Sequence, residues 1–112
     1  MRLQLPQPLT DYFAAENADD ADALARCFAD DAVVRDEGRT IGGAAAIKRW
    51  MEEAKRKYRH TVEPLGFVHR DGKVVVTSKV SGNFPNSPVN LEHCFGLAGG
   101  KIASLEIRLA RT

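Results

Sequence analysis

The stretch from Tyr12 to Trp50, YFAAENADDADALARCFADDAVVRDEGRTIGGAAAIKRW, contains the clearest indications of the fold. Its pattern predicts two helices separated by a tight break, then a double aspartate, a short strand, a glycine pair and a third helix. The break lies at Asn17 and Asp19-Asp20. Asp20 is a predicted N-cap of the second helix, because its carboxylate can accept a hydrogen bond from an otherwise unpaired backbone N–H.

Apolar residues within this stretch recur at helical spacing. The first helix has Leu9, Tyr12 and Phe13 on one face, and the second is predicted to carry Ala21, Leu24 and Phe28. Asp30-Asp31 is expected to end the second helix, and the segment 32–36 to form a short strand. After the turn at Gly42-Gly43, the apolar face of the third helix is predicted to consist of Ile47, Trp50, Met51, Ala54 and Tyr58.

After Tyr58 the apolar residues alternate, which indicates strands. The Asp-Gly pair in RDGK and the pair Gly99-Gly100 predict hairpins, and the two prolines in FPNSP predict an edge loop. The predicted strands cover residues 61–69, 74–83, 89–97 and 101–111. Helices followed by antiparallel strands indicate the α+β class, and we expect residues 1–112 to form one domain.

Composition limits the kinds of partner. The chain has 16 Lys and Arg and 15 Asp and Glu, for a net charge of +1. This balance favours neither nucleic acid nor a membrane surface as a partner. The basic segment 48–59 contains Glu52 and Glu53, each four residues before a cation, so it is interpreted as a solvated helix face. A chain of 112 residues buries only about two-thirds of its unfolded surface, which favours a homodimer that covers the outer face of the sheet.

Cys27 and Cys94 are far apart and form no CxxC motif, so both are interpreted as free thiols in a reducing compartment. No apolar run approaches the roughly 20 residues that span a bilayer. The first residues, MRLQLPQPL, do not resemble a signal peptide. We therefore expect a cytoplasmic protein.

A histidine among apolar residues is the strongest indication of a site. In the strand 89–97, His93 shares one side with Leu91, Phe95 and Leu97, and this side must meet the helices. His93 can be a core residue or can face a pocket. Asp36, at the end of the short strand, can be a turn residue or a site carboxylate.

The segment ADDAVVRD (residues 29–36), the glycine pair and the order of elements resemble the nuclear transport factor 2-like superfamily, and within it SnoaL-like and ketosteroid isomerase-like domains. This resemblance implies a cone-shaped α+β barrel, in which three helices pack on a mainly antiparallel sheet around one apolar pocket. By the isomerase pattern, which is a worked example of acid–base tuning, Asp36 is the catalytic base and Tyr12 the oxyanion-stabilising tyrosine. The second acid of that pattern is replaced by His93, and Phe28 and Met51 replace two supporting tyrosines.

The same resemblance implies a small apolar ligand in a pocket lined by hydrophobic side chains. The predicted ligand-binding residues are Phe28, Trp50, Met51, Phe67, Val80, Phe84, Leu91, Phe95, Leu105, Ile107 and Leu109. Trp50 and Phe84 can stack on a flat ligand or serve as core or lid residues. Neither the histidines nor the cysteines have metal-ligand spacing, and no phosphate-binding glycine motif is present, so we expect no metal and no cofactor.

Three functions fit these residues. The first is an enzyme that enolises or cyclises a hydrophobic carbonyl compound, with Asp36 as base and Tyr12 and His93 as hydrogen-bond donors. The second is a binding module that holds a small molecule without converting it. The third is an interaction domain whose pocket is filled by its own side chains. The first requires the three polar groups to converge in an open cavity.

Overall fold

The computed structural model describes residues 4–110 and contains three helices and six strands. In chain order they are α1 (Gln7–Asn17), α2 (Ala21–Arg26), β1 (Phe28–Asp36), β2 (Arg39–Gly42), α3 (Ala44–Tyr58), β3 (Thr61–Arg70), β4 (Lys73–Ser81), β5 (Val89–Ala98) and β6 (Lys101–Leu109). The helices pack on one mixed sheet, which confirms the predicted α+β class.

The strand order is β2-β1-β6-β5-β4-β3, so the sheet is open and β2 and β3 are its edges. Only the β1–β6 pair is parallel, and the other pairs are antiparallel. The predicted hairpins are present: Asp71-Gly72 joins β3 to β4, and Gly99-Gly100 joins β5 to β6, with positive φ at all four residues. Two such residues in a two-residue loop match the twist of the flanking strands.

The predicted end of the second helix is wrong. α2 ends at Arg26, and Phe28, which was expected on its apolar face, is the first residue of β1. Strand pairing explains the difference: Phe28 pairs with Ile102 of β6, and the Ile102 N–H donates to the Cys27 carbonyl at 2.8 Å. A register shift between Phe28 and Val33 accommodates the double aspartate within the strand. A distant strand therefore overrides the local helical spacing.

The starts of α2 and α3 follow from their sequences. The Ala23 N–H donates to Asp20 Oδ1 at 3.0 Å, as expected for the predicted N-cap, and such a cap stabilises a helix by about 1 kcal/mol. Gly43, with φ of 89°, makes the turn into α3. A side chain at this φ would be strained, so glycine sets the direction in which α3 crosses the sheet.

The core lies between the helices and the inner face of the sheet. Its fully buried side chains include Leu9, Tyr12, Leu24, Ile47, Val34, Val76, Phe95, Ile102 and Leu105. The end of α1 is fixed to the start of β3 by Asn17, whose side-chain amide both donates to and accepts from the Val62 backbone at 2.8 Å. These two hydrogen bonds have the pattern that a residue of a neighbouring strand would make, and they hold the last turn of α1 over the sheet.

Candidate functional site

The strand register places Asp36 and His93, the two predicted site residues of the sheet, in one row that runs across the strands. Ile107 of β6 pairs with His93 of β5 on one side and with Asp36 of β1 on the other. Neighbouring strands lie about 4.8 Å apart, so the backbones at Asp36 and His93 are about 10 Å apart with Ile107 between them. Both side chains are therefore on the inner face, where α3 covers the sheet.

A cavity of about 400 Å³ opens over this row. It contains Asp36 and His93 together with seven of the predicted ligand-binding residues, Trp50, Met51, Val80, Phe84, Leu91, Ile107 and Leu109. The remaining lining residues are Glu16, Glu37, Ala54, Tyr58, His60, Val89 and Arg108. Phe28, Phe95 and Leu105 are instead buried in the core, and Phe67 is partly buried against it.

Asp36 is held by the indole of Trp50. The Trp50 Nε1–H donates to Asp36 Oδ2 at 3.1 Å. Burial raises the pKa of Asp36, and the hydrogen bond from Trp50 partly opposes this by stabilising the carboxylate. The nearby carboxylate of Glu37 raises the pKa further. A half-buried carboxylate with a raised pKa is a stronger base than an exposed one.

His93 is almost fully buried, and its Nδ1 has no hydrogen-bond partner. Its ring lies parallel to that of Phe95 and edge-on to that of Phe13. Burial lowers the pKa of His93 to about 4, so the ring is neutral near neutral pH. A neutral imidazole has one N–H to donate and one nitrogen that accepts.

Tyr12 lies deeper than the resemblance implies. It is fully buried, makes edge contacts with Phe13, Phe28 and Phe95, and is not among the residues that line the cavity. Its ring is 6.3 Å from that of His93, and its hydroxyl has no partner of good hydrogen-bond geometry. Burial, followed by the neighbouring Glu16 carboxylate, raises the pKa of Tyr12 well above its usual value. The structure thus brings Asp36 and His93 to the cavity, with Tyr12 behind them.

Two further buried, ionisable residues line the cavity and were not predicted from the sequence. Glu16 of α1 and His60, which precedes β3, are both buried, and His60 Nε2 lies 2.6 Å from Glu16 Oε2. The sequence carries a signal for Glu16, because it follows Phe13 by three residues and Tyr12 by four, on the apolar face of the helix. His60 has no such signal, since it lies between two elements.

A second, larger depression of about 580 Å³ lies at the end of α3. It is lined mainly by polar and charged residues, and the ion pair between Lys55 and Asp19, at 2.7 Å, lies at its edge. Of the predicted site residues it contains only Met51. Within residues 4–110, no group of His, Cys, Asp and Glu side chains is arranged to hold a metal ion, and no helix is long and apolar enough to cross a membrane.

The sequence profile of the SnoaL-like domain matches residues 9–105, which includes every residue of the cavity except those at the end of β6. The chain belongs to the SnoaL-like domain family. A candidate polyketide cyclase from Sinorhizobium meliloti has a similar structure, with a TM-score of 0.89 and 45% sequence identity over 93% of this chain and 95% of that one. No functionally curated protein matches the chain.

More distant structures share the fold. A protein from Catenulispora acidiphila with a ketosteroid isomerase-like fold, solved in complex with trimethylamine, has a TM-score of 0.84 at 20% identity, over 96% of this chain and 88% of that one. A nuclear transport factor 2-like protein from Cytophaga hutchinsonii has a TM-score of 0.78 at 14% identity, over 98% and 95%. These similarities confirm the nuclear transport factor 2-like α+β fold, with three helices packed on a mixed sheet, but the sheet of this chain is open and does not close into the barrel that the resemblance implies.

Proposed function

We propose that this SnoaL-like protein catalyses cofactor-independent proton transfer on a small hydrophobic carbonyl compound, as an isomerase, cyclase or dehydratase does, with Asp36 as the base. The observation that carries this proposal is the Asp36 carboxylate at a mostly apolar cavity, held by the Trp50 N–H. The similarity to a candidate polyketide cyclase supports the same class of reaction.

The reaction begins with a ketone whose α-carbon lies against Asp36. The carboxylate takes the α-proton, the electrons of that C–H bond form a carbon–carbon double bond, and the carbonyl oxygen becomes an enolate oxygen. Trp50 orients the carboxylate without neutralising it, because an indole N–H only donates. Returning the proton to a different carbon gives isomerisation, and attack of the enolate on a second carbonyl gives cyclisation.

His93 is the group best placed to stabilise the enolate oxygen. It lines the cavity one strand beyond Ile107, and its neutral ring can donate one N–H. Hydrogen bonds aimed at developing charge are among the largest contributions to catalysis. In this proposal Tyr12, which lies behind His93, supports the ring by packing and supplies no direct contact with the substrate.

The proposal is tested by hydrogen exchange at a ketone. We expect the wild-type protein to accelerate exchange of the α-protons of 1-tetralone in D₂O, followed by NMR. Asp36→Asn should lower the catalysed rate by about 100-fold or more, the usual effect of removing a general base. Asp31→Asn is the matched control, because Asp31 is an exposed carboxylate of the same strand that does not line the cavity, and its removal should leave the rate nearly unchanged. Equal rates for Asp36→Asn and the wild type would exclude Asp36 as the base.

The second candidate function is non-catalytic binding of a small apolar molecule. One observation favours it: the Trp50 hydrogen bond occupies Oδ2 of Asp36 and opposes the rise in its pKa. In that case 1-tetralone binds, with chemical-shift changes at the cavity residues, but its α-protons exchange no faster than in buffer. The same NMR samples therefore distinguish the two functions.

A further inference from the structure

The cavity extends well beyond the row that contains Asp36. On α3, Trp50, Ala54 and Tyr58 line it at intervals of four residues, so they follow one face of the helix. On the sheet it reaches Val80 and Val89, which are register partners on β4 and β5. The cavity is therefore an elongated space between α3 and the sheet.

The helix and the sheet give similar lengths for this space. Tyr58 is eight residues after Trp50, which is about 12 Å along the helix axis at about 1.5 Å per residue. Val89 is four residues before His93 on β5, which is about 14 Å at about 3.4 Å per residue. A bicyclic ketone held at Asp36 does not reach the far end.

Two aromatic rings stand at the far end. Tyr58, the last residue of α3, and Phe84, in the loop between β4 and β5, are perpendicular with ring centroids 5.9 Å apart. The loop is fixed to the helix, because the Asn83 N–H donates to the Tyr58 carbonyl at 2.7 Å. The Gly82 N–H donates to Ser87 Oγ at 3.0 Å, which closes the loop on itself. The two rings are thus positioned before any ligand binds, which reduces the entropy that binding costs.

A packing role alone does not account for this end of the cavity. Tyr58 and Phe84 both remain partly exposed and both line the cavity, as do the aliphatic side chains of Val80 and Val89. An apolar surface left open in this way gains free energy when a ligand covers it.

The charged groups near the cavity are already paired. Arg108, which lines the cavity, is ion-paired with Glu92 at 3.1 Å and with Glu106 at 3.7 Å. His60, two residues after Tyr58, binds Glu16 at 2.6 Å. An uncharged ligand tail fits these surroundings better than a carboxylate, which would have to compete for Arg108.

We propose that the Tyr58–Phe84 end of the cavity binds the apolar tail of an elongated, uncharged ketone, so that these two rings select substrates by length. The carbonyl group of the same molecule lies at Asp36, and its chain runs along the face of α3 past Ala54. This inference rests on the proposed function, because that function places the carbonyl group at the Asp36 end.

The first test uses two unbranched methyl ketones and the wild-type protein. An extended chain advances about 1.2 Å per bond, so 2-undecanone can reach Phe84 from Asp36 and 2-pentanone cannot. Dissociation constants are measured from the fluorescence of Trp50, which is the single tryptophan of the chain and lines the cavity. We expect 2-undecanone to bind at least about 100-fold more tightly, because each buried methylene adds to the affinity.

The orientation of the ligand is read from nuclear Overhauser effects in the same wild-type complex, which needs no variant. The terminal methyl of 2-undecanone should contact the ring protons of Tyr58 and Phe84, and the methyl beside its carbonyl should contact the Trp50 indole. Contact of the terminal methyl with Trp50 instead, or affinities for the two ketones within twofold, would overturn the inference.

A variant then tests the selection by length. Phe84→Ala should weaken 2-undecanone binding by about tenfold and 2-pentanone binding by less than about twofold. Phe67→Ala is the matched control, because Phe67 is a partly buried phenylalanine that does not line the cavity. Equal losses for both ketones in a folded Phe84→Ala protein would contradict the inference. Long-chain binding without α-proton exchange would contradict only the proposed catalysis, and exchange without a preference for length would contradict only this inference.

Discussion

At the scale of single residues, His93 lines the cavity and also makes the stability of the folded protein depend on pH. Its pKa in the folded protein, about 4, is below the value of about 6.5 for an exposed histidine, so the unfolded chain binds the proton first. The stability that depends on a neutral His93 is fully present above about pH 6.5 and is lost as the pH falls toward about 4. The cause is burial of the ring among aromatic side chains.

We therefore expect the free energy of unfolding to fall on acidification partly because of His93. Between about pH 7 and pH 4.5 this residue should contribute a loss of about 2 kcal/mol. Urea denaturation at the two pH values measures the loss, and His93→Leu should lessen it by that amount. His69→Gln is the control, because His69 is exposed. The same pH dependence in His93→Leu as in the wild type would show that His93 is not buried as a neutral ring.

The position of a residue could be predicted from the sequence where alternation along one strand determines it. Asp36 and His93 reach the cavity because alternation along a strand assigns their face, and seven of the apolar residues join them there. The depth of Tyr12 could not be predicted, since spacing places it on the apolar helix face but does not show what lies above its hydroxyl. Glu16 was missed although its helical position was readable, and His60 is close to it only through tertiary contact.

At the scale of elements, the end of β4 passes the end of α3 at Gly82. A Cβ at this position would lie 2.7 Å from the Tyr58 carbonyl oxygen and 3.0 Å from the His60 Cα. Asn83 N–H donates to that same carbonyl at 2.7 Å, so the two backbones are tied together here. The absence of a side chain is what allows α3, β4 and His60 to meet at one edge of the cavity.

We expect Gly82→Ala to lower the free energy of unfolding by about 1–3 kcal/mol, since overpacking against backbone atoms forces the chain to move. Thermal denaturation measures the effect. Gly66→Ala is the matched control, because Gly66 lies in β3 with no atom within 4 Å of an added Cβ. A Gly82→Ala protein as stable as Gly66→Ala would mean that the two backbones are farther apart than described.

Most elements could be predicted because their signals are local. The cap at Asp20, the Asp-Gly and Gly-Gly turns and the spacing on α3 each act within a few residues. The start of β1 could not be predicted, because Phe28 joins the sheet by pairing with Ile102 of β6, which is distant in sequence. Pairing of that kind leaves no periodic signal near Phe28.

At the scale of the whole molecule, the chain leaves apolar side chains exposed on β3, one of the two edge strands. Leu65 is 47% and Val68 is 51% exposed, and Val68 lies in the register row of Val75 and Cys94 on the outer face. A small domain with a cavity between its helices and its sheet has little other surface to bury. We propose that a second copy covers the outer face.

Light scattering after size exclusion should therefore give twice the chain mass of 12.3 kDa. Val68→Glu should shift the population toward the monomer, because burying an unpaired charge in an apolar interface is unfavourable. Arg49→Glu is a control for charge alone, since Arg49 is an exposed residue of α3, on the helix side of the sheet and away from its outer face. A wild-type mass of one chain at every concentration would contradict the dimer.

In the proposed reaction Asp36, made more basic by its half-buried position, removes a proton from a bound ketone. The most direct measurement is the rate of 1-tetralone α-proton exchange as a function of pH. We expect the wild-type rate to fall on acidification with a midpoint above the usual aspartate pKa of about 4, and the midpoint to rise in Trp50→Phe, which loses the hydrogen bond that lowers the pKa of Asp36. An exchange rate equal to that in buffer at every pH, or a midpoint that persists in Asp36→Asn, would rule out Asp36 as the catalytic base.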